Sequence, residues 1–278
     1  MKLLNGSDLS SFIKERQAKQ VRALRQASGV FPRLAIVTSI ASPVIDLYMS
    51  LKKRYGEDIL IDVEIYRTNS DEIISVIEGL NGREDVQGII VQLPLDNMLE
   101  VERVLSSVDP AKDVDGLNPS SNFDAATPMA INWLLAGYGV ELSGKRIALV
   151  GRGRLVGAPL EKMWLNSGLS VDTFEKGDRL DRLSQYDVIV SAAGSPGLIE
   201  PSMVKAGAVI VDAGTAVEDG EIKGDVSDEV RLRDDITITP EKGGVGPLTV
   251  AALFDNVITA CLRIANNRQF LTNPRRFL

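Results

Sequence analysis

The stretch that decides the fold is Arg146–Pro159, "RIALVGRGRLVGAP". Its apolar start, "RIALVG" (Arg146–Gly151), predicts a buried strand, and a glycine-rich turn then opens a helix. The spacing Gly151-x-Gly153-x-x-x-Gly157 is one residue longer than the usual dinucleotide fingerprint. Small residues at such a turn let the backbone approach a diphosphate, and the helix N-terminus offers free N–H groups and a positive dipole end. Glycines can equally serve there as a tight connection. What points to cofactor binding is the context, a strand–helix–strand unit whose second strand ends near Phe174.

The same rhythm extends in both directions. "LSVDTF" (Leu169–Phe174), "YDVIVSA" (Tyr186–Ala192) and "AVIVDAG" (Ala208–Gly214) read as strands, and "ITIT" (Ile236–Thr239) as a last short one. "VEDGEIKGD" contains Asp-Gly and predicts a small hairpin. Upstream, "LAIVT" (Leu34–Thr38), "ILIDVEIY" (Ile59–Tyr66) and "VQGIIVQL" (Val86–Leu93) read as strands. Helical patterns cover Asp8–Ala27, about Ser42–Arg54 and Ser70–Leu80. "DPAKDVDGLNPSSNFDAATP" (Asp109–Pro128) has no periodicity and predicts a loop at a domain junction. "TPMAINWLLAG" then starts a helix, with Thr127 as N-cap and Pro128 at the first helical position. A long helix, about Leu248–Asn266, and a polar tail close the chain. The alternation predicts an α/β protein with mostly parallel sheets covered on both faces.

Composition narrows the chemistry. The chain has 278 residues, 44% of them apolar, room for two modest domains or one large one. A formal net charge of -7 argues against nucleic-acid binding, so basic contacts to any anionic ligand must be local. No apolar run approaches the roughly 20 residues of a membrane span, and the N-terminus lacks the apolar core of a signal peptide. The single cysteine, Cys261, lies among apolar positions of the last helix and reads as packing. One cysteine makes no internal disulfide, which fits a reducing cytoplasm. Histidine is absent, so acid–base chemistry falls to Lys, Asp, Glu, Tyr or Cys, and a transition-metal site is disfavoured.

Within those limits a few residues stand out. "LYMSLKKRYG" places Tyr48 and Lys52 four apart, on one helix face, a spacing also common on solvated helices. "GIIVQLPL" (Gly88–Leu95) sets one amide, Gln92, in an aliphatic strand, where an unpartnered amide costs roughly 1–3 kcal/mol. "KDVDG" adds Asp113 and Asp115 in the junction loop. At the end of the second strand, Glu175 is placed to accept from a ribose 2′-hydroxyl, whereas Lys176, Arg152 and Arg154 are cations suited to a 2′-phosphate. NADP is favoured, with NAD the alternative.

Read in order, these elements resemble the bifunctional methylenetetrahydrofolate dehydrogenase/cyclohydrolase family. They are Tyr48-x-x-x-Lys52, "GIIVQLPL", "DPAKDVDGLNP", "GRGRLVGAP", "SAAGSPGLI", "GAVIVDAGT" and "GGVGPLTVAALFDN", spanning about Leu4 to Ile264. The resemblance implies two α/β domains with a cleft between them. The first, 1–120 with the C-terminal helix 248–278, would carry the folate site; the second, 121–247, would be Rossmann-like. It implies oxidation of 5,10-methylenetetrahydrofolate with NAD(P), hydrolysis of the methenyl product to 10-formyltetrahydrofolate, and a homodimer. Matched position by position, Lys52 would be the catalytic lysine, Tyr48 would line the folate pocket, Gln92 would contact the lysine, and Asp115 would accept from the pterin. Gly151, Arg152 and Gly153 match the cofactor turn, Lys176 the adenosine-ribose position and Thr215 the nicotinamide end. Gly246 and Pro247 match the lip between the ligands.

The chain also departs from the family. Ile45 stands where a serine is common, Ala126-Thr127-Pro128-Met129-Ala130 replaces Cys-Thr-Pro-x-Gly, and Gly153 replaces the turn serine. Glu175-Lys176 replaces a His-Ser or His-Arg pair, and "TPEKGGVGP" replaces "TPVPGGVGP". Two alternatives follow. One is another Rossmann oxidoreductase, of the amino-acid or shikimate dehydrogenase type, which leaves "VQLPL" and "KDVDG" unexplained. The other is a non-catalytic folate- or nucleotide-binding relative, against which Lys52 and Gln92 speak.

Overall fold

The computed structural model describes residues 1–218 and 221–272. The chain begins β1 (Lys2–Leu3), α1 (Gly6–Ser28), β2 (Arg33–Thr38), α2 (Pro43–Asp58), β3 (Asp62–Arg67), α3 (Ile73–Asn81), β4 (Gly88–Val91) and α4 (Val101–Ser107). It continues α5 (Ala126–Gly137), β5 (Ile147–Val150), α6 (Gly157–Asn166), β6 (Val171–Phe174), β7 (Val188–Ser191) and β8 (Val209–Asp212). It ends β9 (Ala216–Glu218), β10 (Glu221–Lys223), α7 (Asp228–Arg231), β11 (Thr237–Ile238) and α8 (Val245–Thr272).

These elements form two compact units. One comprises Phe12–Ala126 and the chain from Val250 on. Its sheet has the order β3-β2-β4, all parallel. Ala35, Val37, Ile89 and Val91 pack with Ile73, Ile77 and Leu80 of α3 and with Val101, Val104 and Leu105 of α4. The alternate residues Leu34, Ile36 and Ile90 point the other way and are buried too, so both sheet faces are covered. Helix α8 is fastened in this unit by polar groups. Gln17 of α1 donates to the Ala251 carbonyl at 2.8 Å and accepts from Tyr55 Oη at 2.8 Å, while the Tyr55 ring stacks on Phe254.

The other unit comprises Met1–Ser11 and Thr127–Thr249. Its six parallel strands run β1-β11-β8-β7-β5-β6. From β5 the chain moves to β6 on one side and returns to β7 on the other, so the loops after β5 and β7 diverge at a topological switch point. Ligands of open α/β sheets bind at such points. Ala148, Val150, Ile189, Ile210 and Ile238 form the centre of its core.

Several expectations are corrected. Residues 1–11 belong with the second sheet rather than with 12–120, because β1 pairs in parallel with β11. Two residues are too short a strand to show a period. Helix α5 starts at Ala126, so Thr127 lies inside it rather than capping it. Helices α4 and α7 have only seven and four residues, too few for a clear pattern. The hairpin expected from "VEDGEIKGD" is present as the antiparallel pair β9–β10; its turn, Asp219-Gly220, and the tail from Asn273 lie outside the described residues. Contrary to the expectation that no apolar run nears membrane length, Val245–Asn267 is long and apolar enough to cross one by length and composition. Yet 61% of its most apolar window is buried inside the protein, as in a core helix.

Candidate functional site

Helix α2 is set up by its N-terminus. Ser42 caps it, accepting from the Ile45 N–H at 3.2 Å, and Pro43 occupies the first turn. Ile45 and Met49 are buried, which fixes the helix rotation and turns Tyr48 and Lys52 to a half-buried face. Ile45 is thus a core residue here. Opposite, β4 ends at Val91, and the backbone N–H of Gln92 still pairs with the Val37 carbonyl at 2.8 Å. That ladder bond holds the Gln92 side chain in register.

The two sequence-distant groups meet. Lys52 Nζ donates to Gln92 Oε1 at 2.7 Å, and Gln92 Nε2 donates to the Leu93 carbonyl at 3.0 Å. The carboxamide is therefore satisfied at both ends and presents its oxygen to the amine. Burial lowers the Lys52 pKa from its ordinary value, with the Asp115 charge opposing. Asp115 is pushed up to about 6, chiefly by burial; Lys52 pulls it down and Asp113 pushes it up. The Asp115 side chain has no hydrogen bond within the described residues, so its carboxylate is free to accept from a ligand. Tyr48 is also half-buried, with its hydroxyl unbonded in the described residues.

The loop that carries Asp115 is tightly held. Lys112 Nζ donates to the carbonyls of Asn81 and Arg83 at 2.7 and 2.6 Å, tying the loop to the end of α3. Asp113 is buried and accepts from the Asn118 N–H at 2.8 Å. Asn256 Nδ2 of α8 donates to the Val114 and Asp124 carbonyls at 2.9 and 3.0 Å. Sequence reasoning quoted Asn256 within "LFDN" without giving it a role; a buried polar residue in an apolar helix was the available signal.

The second unit holds the other candidate residues. Gly151 has φ +91°, and a Cβ there would lie 2.6 Å from the Ala192 carbonyl oxygen. A Cβ on Gly157 would lie 2.0 Å from the Gly151 oxygen, so this third glycine is what lets α6 dock on the turn. Beside Gly153, by contrast, a Cβ would meet nothing within 4 Å. The turn thus leaves open space next to the start of α6, and these residues fit a cofactor diphosphate. Arg152 is half-exposed and its Nε donates to Glu161 Oε2 at 2.7 Å; its Nη1 lies 3.8 Å from Glu175 Oε1. Lys176 is exposed in the next turn. Thr215 is exposed after β8, its carbonyl 3.7 Å from the Cβ position of Gly194 in the loop after β7. Gly246 and Pro247 open α8 in this unit, and the Pro247 carbonyl accepts from Ser10 Oγ at 3.2 Å.

Sequence reasoning missed the clasp that shapes those loops. Asp225 is fully buried and accepts from Ser191 Oγ, the Ala193 N–H and the Ser195 N–H, each at 2.7 Å. Asp212 in turn accepts from the N–H groups of Gly214, Asp225 and Val226 and from Arg231. Only glycine fits at 214 and 224, where a Cβ would meet these carboxylates at 2.1 Å. Cys261 is fully buried and its thiol is pushed up to about 12, so it packs rather than reacts.

Comparison with known proteins agrees with both halves. Residues 4–115 match the catalytic domain of tetrahydrofolate dehydrogenase/cyclohydrolase, and residues 125–265 match its NAD(P)-binding domain. The bifunctional protein FolD of Aquifex aeolicus is 35% identical over 98% of this chain and 99% of its own length. The crystal structure of the bifunctional FolD methylenetetrahydrofolate dehydrogenase/cyclohydrolase from Campylobacter jejuni superposes with a TM-score of 0.88, at 34% identity, over 96% of this chain and 99% of that one. The Trypanosoma brucei enzyme, solved with NADP and an inhibitor, gives 0.88 at 28% identity over 94% and 97%. These matches favour the folate reading over an amino-acid or shikimate dehydrogenase. With two domain matches in the expected order and a near full-length relative above 30% identity, the chain belongs to the tetrahydrofolate dehydrogenase/cyclohydrolase family.

Proposed function

We propose that the chain oxidises 5,10-methylenetetrahydrofolate with NADP, NAD being the second acceptor, and hydrolyses the methenyl product to 10-formyltetrahydrofolate. The observation that carries this is the 2.7 Å bond from Lys52 to Gln92, with Asp115 electrostatically coupled to the same lysine. Asp115, ionised above pH 6 and without a side-chain hydrogen bond among the described residues, accepts from paired N–H donors of the pterin. Tyr48 borders the pocket.

Hydrolysis calls for a base. A water oxygen bonds to the cationic methenyl carbon, and its proton passes to the neutral Lys52 amine. The Lys52 ammonium gives that proton to N5 as the carbon–N5 bond breaks, and the adduct's hydroxyl loses its proton to solvent as the formyl C=O forms. A lysine can cycle near neutral pH only if its pKa is depressed. Burial does this here, the substrate cation adds to it, and Gln92 orients the amine without supplying a negative charge that would raise it.

Oxidation asks less of side chains. A bound nicotinamide would supply the hydride acceptor; the chain's own residues position the reactants and exclude water. In this reading Gly151, Arg152, Gly153, Lys176 and Thr215 hold the cofactor, and Gly246 and Pro247 border the ligands. The family's homodimer and a cytoplasmic setting belong to the same proposal, the dimer checkable by analytical ultracentrifugation. The decisive assay supplies methylenetetrahydrofolate with NADP, then NAD. Reduced nicotinamide reports oxidation and decay of the methenyl chromophore reports hydrolysis; a chain that yields neither signal refutes the proposal.

A further inference from the structure

Arg152 is one of two arginines in the glycine turn, with Arg154, and its guanidinium is already engaged. Glu161, on α6, accepts from Arg152 Nε at 2.7 Å and from Thr173 Oγ1 at 2.7 Å. Arg152 and then Thr173 hold the Glu161 carboxyl below its ordinary value, so it stays charged. Glu175 approaches the other side of Arg152 at 3.8 Å, and its backbone N–H is fixed by Asp178 at 2.7 Å. Glu175 directly follows the last residue of β6. From that position an acidic side chain accepts from a ribose 2′-hydroxyl, whereas a nearby arginine accommodates a 2′-phosphate. This chain has both, and the arginine is shared between two carboxylates.

The consequence is electrostatic. A 2′-phosphate brings close to two negative charges. To reach Arg152 it must share a guanidinium already neutralised by Glu161 at Nε and face Glu175. An unphosphorylated ribose brings no charge and finds Glu175 as an acceptor. We propose that Glu161 and Glu175 are specificity-determining residues that restrain Arg152 and lower the enzyme's preference for the 2′-phosphorylated cofactor, so that NAD is used alongside NADP. This rests on the cofactor assignment above. Glu161 acts through Arg152 as a positioning residue; Glu175 meets the ribose directly.

The test is calorimetric titration of the full chain with adenosine 2′,5′-bisphosphate and with 5′-AMP, for the wild type, Glu161→Gln and Glu175→Gln. Wild type should bind the two probes within about tenfold of each other, since like charge beside a ligand offsets the gain from Arg152. Glu161→Gln should tighten the bisphosphate about tenfold and leave 5′-AMP unchanged. Glu175→Gln should tighten the bisphosphate and weaken 5′-AMP. The ratio of kcat/KM for NADP over NAD should rise in both variants, with thermal unfolding confirming that each is folded. A wild-type preference for the bisphosphate of about a thousandfold, or a ratio unmoved in both folded variants, overturns the proposal. Failure of wild type to bind either probe overturns the cofactor assignment itself.

Discussion

Lys52 Nζ and Gln92 Oε1 lie 2.7 Å apart, and the carboxamide is anchored at its other end to the Leu93 carbonyl. The amine thus has a neutral, fixed acceptor. Replacing Gln92 with Glu keeps the shape and adds a charge that raises the lysine pKa. Less neutral amine is then present at pH 7. Cyclohydrolase activity should fall by about tenfold per unit of pKa rise and recover at alkaline pH. A pH–rate profile superimposable on wild type would refute the base assignment.

Lys52→Met should separate the two reactions. Hydrolysis loses its base, while hydride transfer keeps its positioning groups. We expect cyclohydrolase activity to fall by about 10²–10⁴-fold and dehydrogenase activity to fall less. Equal losses in both assays would mean that Lys52 serves mainly in binding.

If Asp115 holds the pterin as proposed, folate binding should have a pH limit. Its carboxyl, raised by burial to about 6, is protonated below that value and can no longer accept two N–H donors. KM for the folate should rise by about tenfold per unit as pH falls below 6. Because the Lys52 charge pulls this pKa down, Lys52→Met should move the limit to higher pH. Carbon-13 titration of the Asp115 carboxyl reads both shifts directly.

The three glycines of the turn should respond differently. Alanine at 157 places a Cβ 2.0 Å from the Gly151 carbonyl oxygen, and overpacking of that kind costs about 1–3 kcal/mol. Gly151→Ala adds strain at φ +91°. Gly153→Ala meets open space, so its unfolding curve should match wild type while cofactor affinity drops. Denaturant titration with cofactor binding separates these outcomes.

Asn256→Ala removes the donor that the Val114 and Asp124 carbonyls share. Unpaired buried acceptors cost about 1–3 kcal/mol. The loop carrying Asp115 loosens, so folate KM should rise while cofactor KM stays constant.

What could be read without coordinates follows from the range of each interaction. Strands such as Arg33–Thr38 and Ile147–Val150 announce themselves through continuous apolar runs, and the glycine turn through local steric need. Lys52 and Gln92 are 40 residues apart, so their contact was legible only through the ordered set of family motifs. The clasp of Asp212 and Asp225 was not legible. Carboxylates that accept backbone N–H groups carry no period, and their sequence context resembles an ordinary turn. The Arg152–Glu161 bond was hidden for a related reason. Nine residues along a turn and helix give no fixed spacing, so Arg152 looked like a free cation.

Neither unit is continuous along the chain, because residues 1–11 complete one sheet while the segment from Val250 completes the other unit. During synthesis, β1 must wait for β11, more than 230 residues later, before it finds its partner. The α1–β4 region likewise waits for the helix that delivers Asn256. Closing such long loops precedes the contacts that reward it, so assembly is slow and nascent chains expose apolar surface meanwhile. A ribosome-stalled fragment ending before Thr237 should therefore remain protease-sensitive in its first residues, however complete its central strands.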